Sequence, residues 1–182
     1  MDRRQRKTRH AIFGAFTQLL SERDYDRITV GEVLERADVS RATFYAHFET
    51  KDHLLRALCE ELFSHIFDAE TGNEAHCHIF DCDAPDSVFL HLFQHLQKND
   101  NHILDLLSSR NNELFLRCFK DGLTRLVKRK LHLFGERKPP QLPEDFWVDH
   151  IAATFVQTVR WWAEHDRAQP AEVMTQYFLL AV

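Results

Sequence analysis

Residues 28–55 read ITVGEVLERADVSRATFYAHFETKDHLL. The second half sets the problem. Phe44, Tyr45 and Phe48 stand among Ser40, Arg41, Thr43, His47 and Lys51. A wholly buried helix would not carry so many polar groups, and a wholly solvated one would not carry so many rings. Two short helices around a tight turn resolve the conflict. Thr29 and Glu32 have the spacing of a capping box, which starts a helix carrying Val33, Leu34 and Ala37. After Asp38-Val39, Ser40 has the chemistry of an N-cap for a helix reaching about His47. Thr50 caps a fourth helix, striped by Leu54, Leu55, Leu58, Leu62 and Ile66. Two short helices joined by so short a turn form a helix-turn-helix, whose second member enters the major groove of DNA.

In that arrangement Phe44 and Phe48 face inward on Val33, Leu34 and the first helix, and the outer face is left polar. Arg41 and Thr43 fall near the helix N-terminus, the part that reaches base edges. Arg41 suits a bidentate contact to guanine, and Thr43 a thymine methyl or a phosphate. Tyr45 and His47 have hydrogen-bonding tips suited to phosphates, which fix register. Thr29 and Lys51 fall at the N-termini of the flanking helices, where backbone N–H groups favour phosphate. Ser40 is first a cap and completes the expected DNA-binding set.

Composition agrees with a folded, non-membrane protein. The 182 residues are 44% hydrophobic and 28% charged, with 5 Gly and 5 Pro, which suits a soluble globular chain with a substantial core. No apolar run approaches the ~20 residues of a membrane span. The basic start MDRRQRKTRHAIF has no long apolar stretch behind it, so a secretory signal is not expected and the cytoplasm is. Four scattered cysteines do not read as a disulfide framework. The net charge of −5 is unevenly spread. Residues 1–56 hold 11 basic and 9 acidic side chains (+2), and the remainder 12 and 19 (−7). Arg3, Arg4, Arg6, Lys7 and Arg9 read either as a solvated tail or as a basic arm beside a DNA-binding unit.

The rest of the chain has helical period throughout, and about nine helices are expected in an all-α fold. Ile12, Phe16, Leu19 and Leu20 share one face of the first. Residues 70–85 read as a loop, and Pro85 suits the first turn of a helix carrying Phe89, Leu92, Phe93 and Leu96. A short turn at Lys98–Asn101 precedes Ile103, Leu104 and Leu107. A long helix is predicted from about Asn112 to Phe134, with Phe115, Phe119 and Leu126 recurring and Gly135 as its stop. A Pro-rich connector leads to a helix from Glu144 to about Glu164 through Trp147, Ile151, Phe155, Val159 and Trp162. Pro170 opens the last helix, with Val173, Met174, Tyr177 and Phe178. Of the adjacent Trp161 and Trp162, one is expected inside and the other toward a partner or a pocket. Fifteen Phe residues suggest an apolar cavity.

The motif Val39-Ser40, Thr43-Phe44-Tyr45, His47-Phe48, Lys51 and Leu54-Leu55 resembles the N-terminal domain of TetR-family transcriptional regulators, over roughly residues 8–60. One departure is Asp38 where the family has Gly; Asp tolerates the left-handed conformation better than most residues. The stretches NHILDLLSSRNNELFLRCFKDGL (101–123) and VQTVRWWAEHDRAQPAEVMTQYF (156–178) are similar to the dihydroxyacetone kinase regulator subgroup. The resemblance implies a helix-turn-helix domain at 1–50 and a helical ligand-binding and dimerisation domain at 51–182. It implies a homodimer, joined through the helices in 144–182, that binds double-stranded operator DNA and answers to a small-molecule effector, most simply as a ligand-released repressor. Two alternatives share the fold: an interaction protein with no small effector, and an activator working with a protein co-regulator.

Other chemistry is sparse. The sequence shows no phosphate loop, no HExxH and no nucleophile–base pattern, so an enzyme is not expected. His76, Cys77, His78 and Cys82 are ligand types for zinc or copper, and His91 and His95 are one helical turn apart. The spacing matches no standard zinc motif, so neither a metal nor another cofactor is expected. Cys59 and Cys118 read as buried apolar residues.

Overall fold

The computed structural model describes residues 3–70, 87–98, 104, 107 and 113–182. The positions expected to form the loop before Pro85, Pro85 itself, Ile103 and the His76–Cys82 cluster lie outside the described residues. So does the turn after Lys98. Glu70 and Lys98 close helices.

Eight α-helices occur among the described residues: α1 (Arg3–Glu22), α2 (Val30–Ala37), α3 (Arg41–Tyr45), α4 (Lys51–Glu70), α5 (Val88–Lys98), α6 (Glu113–Arg129), α7 (Glu144–Glu164) and α8 (Ala171–Ala181). The fold is all-α, as the periodicity requires, and no described helix is long and apolar enough to cross a membrane. Helices pack as neighbours in the pairs α1–α2, α4–α5, α4–α6, α5–α8, α6–α7 and α7–α8.

Each local signal has a visible outcome. The α1 stripe of Ile12, Phe16, Leu19 and Leu20 is buried, with Phe13 beside it. From Arg3 onward the basic run forms the first turns of α1, with Arg3, Arg4, Arg6 and Lys7 exposed. The Arg9 guanidinium lies over the rings of Phe13 and Phe48, 4.9 and 5.1 Å from their centroids, and meets Glu61 at 3.7 Å. The capping box of α2 is complete: the Glu32 N–H donates to Thr29 Oγ1 at 3.3 Å and the Thr29 N–H to Glu32 Oε2 at 2.8 Å. Asp38 ends α2 in the left-handed region (φ 51°, ψ 49°), so a non-glycine residue makes the tight turn. Ser40 Oγ accepts from the Thr43 N–H at 3.1 Å and starts α3. This helix stops at Tyr45, shorter than the reach to His47 expected from sequence.

Two expectations need correction in the second half. The long helix ends at Arg129, and residues 131–133 and 135–137 form two 3-10 turns. Phe134 between them is 1% exposed and packs on Phe89, with ring centroids 5.6 Å apart. The Arg137 guanidinium donates to the backbone carbonyls of Leu179 and Val182. Together these bend the chain back onto α8, which a continued helix could not do. Gly135 opens the second turn and does not end the helix. Tyr177, placed on the apolar stripe of α8, is 47% exposed, while Met174 and Phe178 are buried. Trp162 is fully buried and Trp161 lies at the surface, dividing as expected. Cys59 is buried; Cys118 is only half-buried. Burial raises both thiols, so neither has the character of a reactive thiolate.

Among the described residues the phenylalanines other than the exposed Phe146 fill space and do not line it. Phe93 lies 4.6 Å from Phe155, Phe155 5.1 Å from Phe178, and Phe178 5.0 Å from Phe89, centroid to centroid. These rings join α5, α7 and α8 in one cluster. On the other side of α6, Gly122 lets the helix approach α4 closely: a methyl there would overlap the Phe63 ring. Gly122→Ala should therefore destabilise the protein by about 1–3 kcal/mol despite the better helix propensity of Ala. Thermal unfolding by circular dichroism measures this. A stability equal to or above the parent's would show that the contact relaxes freely.

Candidate nucleic-acid interface

The surface is built by α1, α2, α3 and the first turn of α4. Phe44 and Phe48 are both 0% exposed, with centroids 5.8 Å apart, and Phe13 meets Phe48 edge-on at 5.5 Å. This anchor fixes the outward face of α3. Arg41 and Tyr45 are exposed on it, and Thr43 and His47 are half-buried. The Tyr45 ring leans edge-on against Phe44 at 5.4 Å, so a buried ring holds an exposed one. Among the described residues Arg41 has no ion-pair partner.

The seven candidate residues fall into three groups, with Thr43 in the second, its hydroxyl bonded to that of Ser40. Arg41, Tyr45 and His47 present side chains outward or partly outward. Thr29 and Ser40 spend their hydroxyls on helix caps: Thr29 Oγ1 also donates to Glu32 Oε2 at 2.8 Å, and Ser40 Oγ lies 2.8 Å from Thr43 Oγ1. Lys51 is turned inward. Its Nζ donates to the carbonyls of Tyr25 and Ile28, each at 2.8 Å, and lies 4.1 Å from the Tyr25 ring centroid. A bond to one more acceptor is all its ammonium has left.

Two residues that matter here were not singled out in the sequence. The Tyr25 hydroxyl donates to Asp52 Oδ1. With Lys51 this ties the loop between α1 and α2 to the first turn of α4. Burial pushes the Tyr25 phenol well above its ordinary range, and the Asp52 hydrogen bond and charge push the same way. Its only sequence signal is an aromatic residue alone in the polar break SERDYDRIT. Nearby cations are tied down in the same fashion. Arg36 bonds Glu22, and Arg23 reaches Glu32 at 2.6 Å, which fastens α1 to α2. The Arg36 hydrogen bond holds the Glu22 carboxyl below the usual range.

A short helix anchored by two buried rings, with an outward Arg and Tyr, behind a tight turn, defines a helix-turn-helix DNA-binding protein. The family model for bacterial regulatory proteins of the tetR family matches residues 12–58, and that for a transcriptional regulator C-terminal region matches residues 83–181. The chain belongs to the TetR family of transcriptional regulators. Over its whole length it is similar to the crystal structure of a TetR regulator from Streptococcus agalactiae, with 34% identity, a TM-score of 0.74 and 96% of that chain covered. The transcriptional regulator FadR of Bacillus subtilis, solved in complex with stearoyl-CoA, shares the fold at 17% identity and a TM-score of 0.59, over 93% of this chain and 94% of that one. Among curated proteins, the helix-turn-helix transcriptional regulator YxbF of Bacillus subtilis is 37% identical over 79 residues, which are 41% of this chain. A second one, YvdT, is 30% identical over 61 residues, or 34% of this chain. The matches span 21% and 31% of those two proteins, so the likeness covers only part of each.

The raised Tyr25 phenol has a consequence at high pH. The folded state keeps that proton above pH ~10, where an unfolded tyrosine loses it. The native chain then binds more protons than the unfolded one, so its stability falls as pH rises. Tyr25→Phe should flatten this alkaline loss and should lower stability near neutral pH, where Asp52 loses its partner. Urea unfolding at a series of pH values from neutral to alkaline checks both effects; an unchanged alkaline slope would separate Tyr25 from the effect.

Proposed function

We propose that the chain is a sequence-specific repressor that binds operator DNA as a homodimer and is released by a small effector. The observation that carries this is the division of α3: Phe44 buried completely, with Arg41 and Tyr45 exposed beside it. The helix is fixed in place by its inner ring, and on its outer face Arg41 has no ion-pair partner among the described residues. Arg41 reads a base edge, with guanine the best match to its fork. Thr43 assists near the same helix end, and Tyr45 and His47 hold phosphates. Thr29, Ser40 and Lys51 set the caps and the frame, and direct phosphate contact through the Ser40 and Lys51 backbone N–H groups or the last Lys51 donor completes the set, with Thr29 holding the helix end beside them. The head is residues 1–50, and the ligand-binding and dimerisation body is 51–182.

The homodimer reading rests on α7 and α8. These helices leave an apolar groove of about 630 Å³ at the surface, bordered by Ala153, Thr158, Trp161, Tyr177 and Ala181. Small residues there admit close backbone approach, and the exposed Trp161 and Tyr177 rings supply the area. A two-fold pairing through this face would set two α3 helices about one DNA turn apart, ~34–36 Å, for a palindromic operator. An effector that favours another spacing by a few kcal/mol would empty the operator.

Two measurements test this reading. In fluorescence anisotropy on the DNA upstream of its own gene, Arg41→Ala should cost about 1–3 kcal/mol of operator affinity and relax sequence preference. Binding equal to the parent's would remove Arg41 from base reading. In sedimentation equilibrium the parent should behave as a dimer, and Trp161→Asp should shift it to monomer with loss of operator binding. A Trp161→Asp protein that stays dimeric would move the interface elsewhere.

A further inference from the structure

The core holds a group of side chains that DNA binding does not use. His65 on α4 and His91 and His95 on α5 are 0%, 1% and 1% exposed. Their rings meet in a triangle with centroids 5.1 Å apart for His65–His91, 4.9 Å for His65–His95 and 4.8 Å for His91–His95. The Nε2 atoms of His91 and His95 lie 3.1 Å apart, and one nitrogen from each of the three rings falls within 4.8 Å of the others. Sequence spacing shows the pair on α5; the third member comes from another helix, which only the fold brings there.

We propose that His65, His91 and His95 bind a divalent transition metal ion, zinc before others, and that this ion is an effector of the regulator. Neutral imidazole suits zinc, copper and nickel better than the hard cations. Zinc–nitrogen bonds of about 2.0–2.1 Å in a tetrahedron set the ligand nitrogens about 3.4 Å apart. The α5 pair already stands near that separation, and small side-chain rotations bring the third nitrogen in. Three protein nitrogens leave one position for a water or a small anion, the pattern of an exchangeable site and not of a closed structural one. Leu62, one turn before His65, and Ile66, Leu92 and Leu96, each next in sequence to one of the three, are all 0% exposed, so the cluster sits on buried stretches of both helices.

The effector part rests on the regulator reading above. His65 lies fourteen residues, about 21 Å of helix, from Lys51 on the same α4. Lys51 and Asp52 hold the loop under the helix-turn-helix. An ion that draws α4 toward α5 therefore acts on the helix that carries the DNA-binding head.

The test uses the full chain, stripped with a chelator. Zinc is titrated in competition with a chromophoric chelator, and cobalt(II) absorption is recorded on the unmutated protein. One ion per chain is expected, with tetrahedral cobalt bands and no thiolate charge-transfer band. His65→Gln and His91→Gln should each weaken zinc by at least the ~10–100-fold that loss of an outer-shell partner costs. A protein with His76 and His78 changed to Gln and Cys77 and Cys82 changed to Ser should bind like the parent. The site is overturned if zinc binds no tighter than to an unrelated protein, if a cobalt–thiolate band dominates, or if affinity goes with the 76–82 variant and stays in His65→Gln. The cobalt spectrum decides should the core variants fail to fold. Operator anisotropy with and without zinc is a separate arm, with a change of about fivefold or more expected. Unchanged operator affinity with zinc bound at the three histidines defeats the effector clause alone. Failure to select any operator both with and without zinc defeats the regulator reading and leaves the site standing.

Discussion

The first turn of α4 decides where the DNA-binding face sits. Lys51 donates to the carbonyls of Tyr25 and Ile28, and Asp52 accepts from the Tyr25 hydroxyl. Those two carbonyls belong to the short link between α1 and α2; the Tyr25 carbonyl also accepts from the Ile28 N–H at 3.1 Å in a 3-10 turn, and each keeps a lone pair that needs a further donor. A half-buried ammonium meets this need with charge-assisted bonds, and the Tyr25 ring under it adds a cation–π contact. The carboxylate next in sequence is then placed for the phenol. Two consecutive side chains of α4 thus hold three points of one loop, and that loop leads directly into the Thr29 cap and α2.

This arrangement sorts the cations of the head by task. Lys51 faces the protein interior, Arg9 lies over Phe13 and Phe48, and Arg23 and Arg36 are tied to Glu32 and Glu22. The surface pairs contribute little to stability individually. Their effect is to fix orientation and to take those charges off the DNA-facing side. Arg41 is left as the exposed cation of α3. A chain of net charge −5 can still meet a polyanion, because what matters is which charges stand free on one face, not their sum.

Local features were readable from sequence because their causes are local. The capping box at Thr29–Glu32, the left-handed Asp38, the Ser40 cap and the bounds of α7 follow from spacing of a few residues. The inward Phe44 and Phe48 follow from periodicity. What failed had long-range causes. The inward bonds of Lys51 were not legible, because nothing nearby in sequence shows that the carbonyls of Tyr25 and Ile28 come within its reach. The long helix was drawn through to Phe134 because its hydrophobic pattern continues; the chain turns since Phe134 and Arg137 are claimed by α5 and α8. The phenylalanine content suggested a cavity, yet rings contributed by separate helices stack into each other.

The same distinction separates the two places where this molecule carries chemistry. The recognition face is written in a contiguous segment, so a motif can report it. The histidine cluster is assembled from α4 and α5, and its sequence trace is only the i, i+4 pair on α5. Its position is what gives it consequence. Helix α4 is the one element that holds the head through Lys51 and Asp52, packs on α6 with Phe63 against Gly122, and supplies His65 to the core. A rigid helix that is held at both ends does not bend to absorb a local change at one of them; it tilts or slides as a unit. Anything that alters the α4–α5 contact near His65 must then be accommodated either at the Gly122 crossing, which has no room, or at the Tyr25 loop, which has polar contacts that can re-form. The softer of the two lies under the DNA-binding face.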